Sequence, residues 1–296
     1  MRNFIIASSM LLALPATAAT PINEVRPFDA DGQIEIENLK GRIQVRGWDR
    51  EEVKITGSLG SGVERLVIEG DRQNLEVRVK YPNNSGWGGN KSEPTDLQLM
   101  VPLRADLEID SVSAGVDVSG VAAGDVSIDS VSGDIVVVGA PREIDVDSVS
   151  GGIRLTVNSS DVSAESVSGE VLLRGRMNGE ISADSVSGGI EVVVNGEQIR
   201  VLKANTVSGN VSIDTALAPN GEIQLESISG RLALTVPANI STQARAESMS
   251  GTLVAPNVTV QKPRYGPGSS YSTRYGSGAG EINMQTLSGD AQLKFK

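Results

Sequence analysis

The sequence predicts an all-β protein, a β-solenoid (β-helix) of about nine or ten coils, from three observations. A five-residue unit of the type Asp-Ser-Val-Ser-Gly recurs nine times, apolar and polar residues alternate on both sides of it, and turn-forming residues separate the repeats. No segment sustains the 3.6-residue period of an amphipathic helix. An antiparallel β-sandwich or barrel stays open as the alternative, because its turns also recur every ~8–12 residues.

The repeated unit returns at intervals of 18 to 21 residues, except for one interval of 38 residues before the last copy. Its copies begin at Asp110, Asp129, Asp147, Glu165, Asp184, Asn205, Glu226, Glu247 and Gln285. Stacked coils would place successive copies about 4.8 Å apart, in ladders of like residues. Because 38 residues are close to two periods, we expect a degenerate or looped-out copy between Gly251 and Gln285.

The fourth and fifth positions of the unit are the most constant, and they predict a tight corner between two strands. Position four is Ser in all nine copies, and position five is Gly in eight, with Ala114 as the exception. Glycine allows a positive φ where the chain bends, and a Ser hydroxyl can bond to nearby backbone. The predicted structural corners are Ser113, Ser132, Gly133, Ser150, Gly151, Ser168, Gly169, Ser187, Gly188, Ser208, Gly209, Ser229, Gly230, Ser250, Gly251, Ser288 and Gly289.

The third position of the unit is Val in the first six copies and another apolar residue in the last three. Counting by two from Ile128 points Val131 outward, whereas a corner at Asp129 and Ser130 would turn Val131 inward. We favour the inward orientation, because nine exposed apolar side chains would form a patch that needs a partner. If the column faces outward, it is the best interaction-site candidate in the protein.

The first position of the unit is Asp or Glu in seven of the nine copies. Adjacent carboxylates about 4.8 Å apart would repel by roughly 1 kcal/mol in water. We expect a solvated acidic edge without a cofactor or metal ion. A column that binds Ca²⁺, which favours clustered carboxylate and carbonyl oxygens, is the alternative.

The chain divides into three segments. Residues 1–19 are predicted to be a signal peptide, with Arg2 before an apolar run and small residues at its end. Residues 20–105 alternate apolar and polar residues without the clear unit, and they predict an N-terminal β cap or irregular first coils, with Glu37 to Gly41 as a worn copy. Residues 106–296 are the repeat β-solenoid, with a flexible loop at 256–280.

Composition limits the function further. The chain has 26 basic and 37 acidic residues, a net charge of −11, which argues against nucleic acid as a partner. No second apolar stretch of membrane length follows the signal peptide, so we expect no transmembrane anchor in the mature chain. These features predict a periplasmic or secreted, cell-surface protein.

The inventory of reactive side chains predicts that the protein is not an enzyme, with no catalytic and no metal-ligating residues. The sequence has no His and no Cys, which excludes Ser-His and Cys-His catalysis and imidazole or thiolate metal sites. Paired carboxylates of the glycoside-cleaving type are still available. A carboxylate-dependent, carbohydrate-active β-helix enzyme therefore stays open as an alternative.

Two loops interrupt the strand pattern, at residues 81–94 and 256–280, and they hold five of the six Tyr and Trp residues. Aromatic and Arg side chains on loops are typical of recognition surfaces for an envelope protein or a surface glycan. The ligand-contact candidates are Tyr81, Trp87, Arg264, Tyr265, Tyr271, Arg274 and Tyr275. An insertion whose rings fold back over a solenoid face is the competing interpretation.

The units at 129–133, 147–151 and 184–188, each Asp-Ser-Val-Ser-Gly, resemble those of a bacterial putative-adhesin family, the domain of unknown function 4097. The resemblance covers roughly residues 30–296. It implies a β-solenoid-like fold and a cell-envelope location, and it brings no catalytic residues. The expected function is an exported, adhesin-like binding or structural module. A scaffold or stress-response partner of an envelope complex is a further alternative.

Overall fold

The computed structural model describes residues 20–82 and 92–296, and these residues form twenty β-strands and no helix. The predicted all-β class is thereby confirmed, while the predicted signal peptide lies outside the described residues. The strands are β1 (Thr20–Pro27), β2 (Gln33–Trp48), β3 (Glu52–Leu59), β4 (Arg65–Gly70), β5 (Asn74–Lys80), β6 (Thr95–Pro102), β7 (Asp106–Val121), β8 (Asp125–Ser130), β9 (Ile135–Gly139), β10 (Glu143–Ser148), β11 (Ile153–Ser166), β12 (Val171–Ser185), β13 (Ile190–Thr206), β14 (Val211–Ser227), β15 (Leu232–Val236), β16 (Thr242–Ser248), β17 (Leu253–Val254), β18 (Ser269–Tyr275), β19 (Gly280–Thr286) and β20 (Ala291–Phe295). No helix in this part of the chain is long and apolar enough to cross a membrane.

The repeats pair in parallel and in register, one above the next. The strand segment before each corner pairs with its equivalent in the adjacent repeat, as in β8 with β10 and β10 with β11. The segment after each corner does the same, as in β9 with β11 and β11 with β12. This is the pairing of a β-solenoid-like fold, whereas an antiparallel sandwich would pair neighbouring strands in opposite directions.

The last copy of the unit does not occupy the end of the stack. Strand β19, which leads into the copy at Gln285, pairs in parallel with β14 on one side and with β16 on the other. The copy at Gln285 therefore lies between the copies at Glu226 and Glu247. The other edge of β16 pairs antiparallel with β18. Of the two alternatives expected between Gly251 and Gln285, no degenerate copy stacks there, and residues 255–279 are looped out as an arm whose strand β18 covers the β16 edge.

The N-terminal strands join the stack. Residues 37–41 of β2 align with 110–114 of β7, apart from a break at Leu39, so the worn copy occupies a corner position of its own. Strand β2 also pairs in parallel with β5 and β6, whereas β1 with β3 and β4 with β5 are antiparallel. Regular parallel pairing thus gives way to mixed pairing toward the N-terminus.

The core follows from the alternation of residues along each strand. In β8, for example, Val126 and Ile128 are buried while Ser127 and Asp129 point outward. Apolar residues in equivalent positions stack on each other through the coils, as Val126 does on Ile144. Fully burying one such Val or Ile side chain is worth about 1.5–3 kcal/mol, so every coil depends on its neighbours for stability.

The corners are held by hydroxyl side chains at the second position, Ser or Thr, and by Ser at the fourth position, which make different bonds. In the copy at Glu165, the second-position Ser166 is buried, and its Oγ accepts the Gly169 N–H at 2.8 Å. The fourth-position Ser168 donates both its N–H and its Oγ–H to the Val149 carbonyl of the preceding coil, at 3.0 and 3.2 Å. Ser166 therefore closes its own corner, and Ser168 links that corner to the preceding coil.

The corner glycines are required for close approach rather than for φ. None of the eight predicted corner glycines, from Gly133 to Gly289, has a positive φ, so the expected reason for their recurrence is wrong; Gly41 in the worn copy does have one. A Cβ atom on Gly169 would lie 2.0 Å from the carbonyl oxygen of Gly151 in the preceding coil. Contact between coils at this point leaves no room for any side chain.

Candidate functional site

The third-position residues face solvent, so the expected inward orientation of the Val column is wrong. Their exposed fractions lie between 42% and 50% throughout. The physical reason is the Ser or Thr just before each of them, whose buried hydroxyl bonds to the backbone of position five and occupies the inward position that Val would need. The hydroxyl accepts the Gly N–H in seven copies and donates to the carbonyl in the copies at Asp110 and Asp147. In spatial order this apolar stripe consists of Val112, Val131, Val149, Val167, Val186, Val207, Ile228, Leu287 and Met249.

A second column, formed by the first-position residues, runs beside the apolar stripe. Strand register places its members next to each other from Glu37 in β2 to Glu247 in β16. In spatial order this acidic column consists of Glu37, Asp110, Asp129, Asp147, Glu165, Asp184, Asn205, Glu226, Gln285 and Glu247. Six carboxylates therefore stack consecutively before Asn205 interrupts them.

The apolar stripe and the acidic column form the walls of one long groove, which we call the corner groove. Its volume is about 1290 Å³, and its floor is the row of second-position Ser and Thr side chains. It extends from the coil of Val131 to that of Met249, where Gln261 to Pro263 and Gly268 to Ser270 of the arm line its end. Seven intervals of about 4.8 Å give a length of about 34 Å.

Stacking changes the acidity of the column. The pKa of Asp147 is raised to about 6, first because burial disfavours its charge and then because Asp145, Glu165 and Asp129 repel it. Burial, followed by neighbouring carboxylates, also raises the pKa of Asp110. Near the middle of the stack Asn205 relieves the repulsion, because its side-chain amide donates to Asp184 Oδ1 at 2.7 Å.

The acidic column does not have the form of a metal site. Within residues 20–82 and 92–296, no group of three or more acidic side chains is arranged to hold a metal ion. The carboxylates form a line, whereas Ca²⁺ needs six to eight oxygens around one point. Calcium on the column stays a prediction without structural support.

Two of the tyrosines predicted to contact a ligand are buried. Tyr81 is 9% exposed, and its hydroxyl donates to Asn38 Oδ1 at 2.8 Å in the worn copy of the unit. Tyr271 in β18 is 3% exposed, and β18 pairs with β16 at the end of the stack. These two rings therefore pack against the end coils, in agreement with the competing interpretation of the loops and not with a role in contacting a ligand. Trp87 lies outside the described residues.

The remaining candidates lie on the arm. Tyr265 is 83% exposed, and the Arg264 guanidinium lies 5.6 Å from its ring centroid, so these two side chains form a cationic and aromatic tip. Arg274 is also exposed. Tyr275 is partly buried, its hydroxyl donates to the Pro256 carbonyl at 2.7 Å, and its ring meets Phe295 edge-on at 5.0 Å.

The constant Ser and Gly at positions four and five indicate a corner but not the groove itself. A signal was present at position two, which is Ser or Thr in all nine copies although it follows a buried apolar position by two residues. A polar residue on the buried face has to bond to backbone. Recognising that bond would have placed the next residue, Val, on the outside.

One comparison with solved structures supports the fold. No curated protein matches the chain. A protein from Parabacteroides distasonis ATCC 8503, described as a putative lipid binding protein, is 13% identical with a TM-score of 0.51, and the match covers 93% of this chain and 97% of that one. At that identity the match shows the β fold alone.

Two structures described as putative adhesins are less similar. One, also from Parabacteroides distasonis ATCC 8503, is 9% identical over 93% of this chain and 97% of its own, with a TM-score of 0.43. The other, from Bacteroides fragilis NCTC 9343, is 11% identical over 94% and 98%, with a TM-score of 0.39. A family model described as Toastrack DUF4097 matches residues 103–222, which contain the copies of the unit from Asp110 to Asn205. The resemblance drawn from the repeats is thereby confirmed over residues 103–222.

Proposed function

We propose that this chain is an exported, non-enzymatic and adhesin-like binding module of the bacterial envelope, and that it holds its ligand in the corner groove. The observation that carries the proposal is the apolar stripe, whose side chains are about half exposed on successive coils. A soluble protein rarely leaves such a continuous apolar strip uncovered unless a partner uses it.

The groove suits binding rather than reaction. Its carboxylates repeat from coil to coil, and its floor consists of Ser and Thr side chains whose hydroxyls are engaged in closing the corners. Rigid strands hold both walls, so a ligand would meet a preformed surface at little cost in ordering. Export is proposed from residues 1–19, and residues 20–105 are proposed to cap the open end of the stack.

A double substitution in the stripe tests this proposal. Val167→Ser with Val186→Ser removes apolar surface from the middle of the groove without changing charge, and both side chains are 48% exposed, so stability should change little. Val138→Ser is the matched control, because Val138 is 46% exposed and does not line the groove. We expect association of the mature protein with envelope fractions to fall for the double variant alone. Equal association of wild type and double variant would contradict the proposal.

The arm tip is proposed as a secondary contact. Arg264→Ser with Tyr265→Ser alters only exposed side chains and leaves strand β18 in place. A loss of association in this variant, with circular dichroism unchanged, would support the role. Unchanged association would remove the tip from the binding surface and leave the groove.

A further inference from the structure

The corner groove has one charged wall and one apolar wall, and together they restrict what can lie in it. Six of the residues that line it are Asp or Glu, and one, Lys262, is basic. A ligand that covers the apolar stripe brings its own charges within reach of the carboxylates. Fatty-acid carboxylates, phosphates and acidic glycans would be repelled there, whereas ammonium and guanidinium groups would be attracted.

The groove is long and continuous over eight coils, which suits an elongated ligand. An extended polypeptide rises about 3.4 Å per residue, so roughly ten residues match the length of the groove.

One segment of the chain itself, in the arm, brings a basic residue to the end of this groove. Gln261 exchanges two backbone hydrogen bonds with Ser270, N–H to carbonyl at 2.8 and 3.0 Å. This pairing sets Lys262 and Pro263 against the end of the groove. A polypeptide segment that carries a lysine therefore lies at one end of the groove, and the coils from Val131 onward leave the rest of it free for a ligand.

We infer that the corner groove binds an extended polypeptide segment in which Lys or Arg alternates with apolar residues. The apolar side chains lie on the stripe from Val131 to Met249, and the basic side chains meet the carboxylates of the acidic column. This inference rests on the proposed function, since it names the chemistry of the ligand for the same groove.

Fluorescence anisotropy with three labelled ten-residue peptides tests the inference on the mature protein. The first peptide alternates Lys and Val, the second alternates Lys and Ser, and the third alternates Glu and Val. We expect the first peptide to bind at least about tenfold more tightly than either of the others, because only it has both apolar side chains for the stripe and basic side chains for the acidic column. Its affinity should fall about tenfold in the Val167→Ser, Val186→Ser variant, stay unchanged in Val138→Ser, and fall with added salt.

The charged wall is tested separately. Asp147→Asn with Glu165→Gln should weaken the Lys and Val peptide several-fold and reduce its salt dependence, while leaving the weak Glu and Val peptide no weaker. Equal binding of the Lys and Ser peptide would overturn the inference, because it would show attraction by charge alone.

Lipid is the competing ligand class. If zwitterionic phosphatidylcholine vesicles bind through the stripe and the Lys and Val peptide does not, the inference falls while the proposed function stands. If neither probe binds and the stripe variant leaves envelope association unchanged, both fall.

Discussion

Asp147→Asn should make the protein more stable at neutral pH, because Asp147 stands among stacked carboxylates. Its pKa is raised from 3.8 to about 6 by burial and by the charges of Asp145, Glu165 and Asp129. Asn at this position would remove one charge from the acidic column. It would also supply an amide like that of Asn205, which donates to Asp184 at 2.7 Å.

The size and sign of the effect follow from the pKa. A shift of about two units corresponds to about 3 kcal/mol at full strength, and the largely exposed position of the carboxylate reduces this to about 1 kcal/mol. Because the folded pKa of Asp147 lies above the unfolded value, its stabilising contribution is complete below pH 3.8 and is lost as the pH rises through about 6. The advantage of Asn should therefore be near zero at pH 4 and complete above pH 7.

Urea denaturation followed by circular dichroism at pH 4 and pH 7.5 measures this difference. Glu170→Gln is the control, since it removes one exposed carboxylate outside the acidic column. In 1 M salt, where charges are screened over about 3 Å, the gain from Asp147→Asn should shrink. An equal gain at both pH values, or an equal gain from Glu170→Gln, would refute the explanation by stacked charges.

Three further predictions concern the corners and strand β18, and urea denaturation measures all of them. Gly169→Ala should lower the free energy of unfolding by at least about 3 kcal/mol, because its Cβ would lie 2.0 Å from a carbonyl oxygen of the preceding coil. Gly152→Ala is the control and should lower it by less than about 1 kcal/mol, because no atom would lie nearer than 3.6 Å to its Cβ. Equal losses would contradict the close-approach explanation. Ser166→Ala should lower the free energy of unfolding by about 1–3 kcal/mol, because the buried Gly169 N–H loses its acceptor. Ser166→Thr should be nearly neutral, because Thr206 makes the same bond in its own corner. A Thr variant as unstable as the Ala variant would count against the importance of that bond. Tyr271→Phe should raise stability by about 1 kcal/mol, because the buried Tyr271 hydroxyl has no hydrogen-bond partner among the described residues, and a loss of stability would indicate a partner for the hydroxyl.

The fold class and the corners could be predicted because they depend on local features that recur. Alternation of apolar and polar residues places Val126 and Ile128 in the core without reference to any distant residue. The regular spacing of the units implies that Asp129 and Asp147 stack, and strand register confirms it. The family resemblance came from the same repeats.

The candidate site could be predicted only in part. The apolar stripe was recognised as a column, but its expected inward orientation was wrong. The alternation continues through the corner, so Ser130 is buried and bonded to backbone while Val131 faces outward. Burial of Tyr81 and Tyr271 depends on partners far away in the sequence, such as Asn38 for the first and β16 for the second. No local pattern encodes those contacts.

The sequence by itself determined that the chain builds stacked β coils with a serine and glycine corner on each, since every coil repeats the same local requirements. Only the tertiary structure decided that the Val column lines an open groove and that the copy at Gln285 lies between the copies at Glu226 and Glu247. The physical reason is that the edge of a parallel strand accepts any strand of matching pattern. Chain order does not dictate which one pairs there, and the choice depends on how the arm and β18 close the end of the stack.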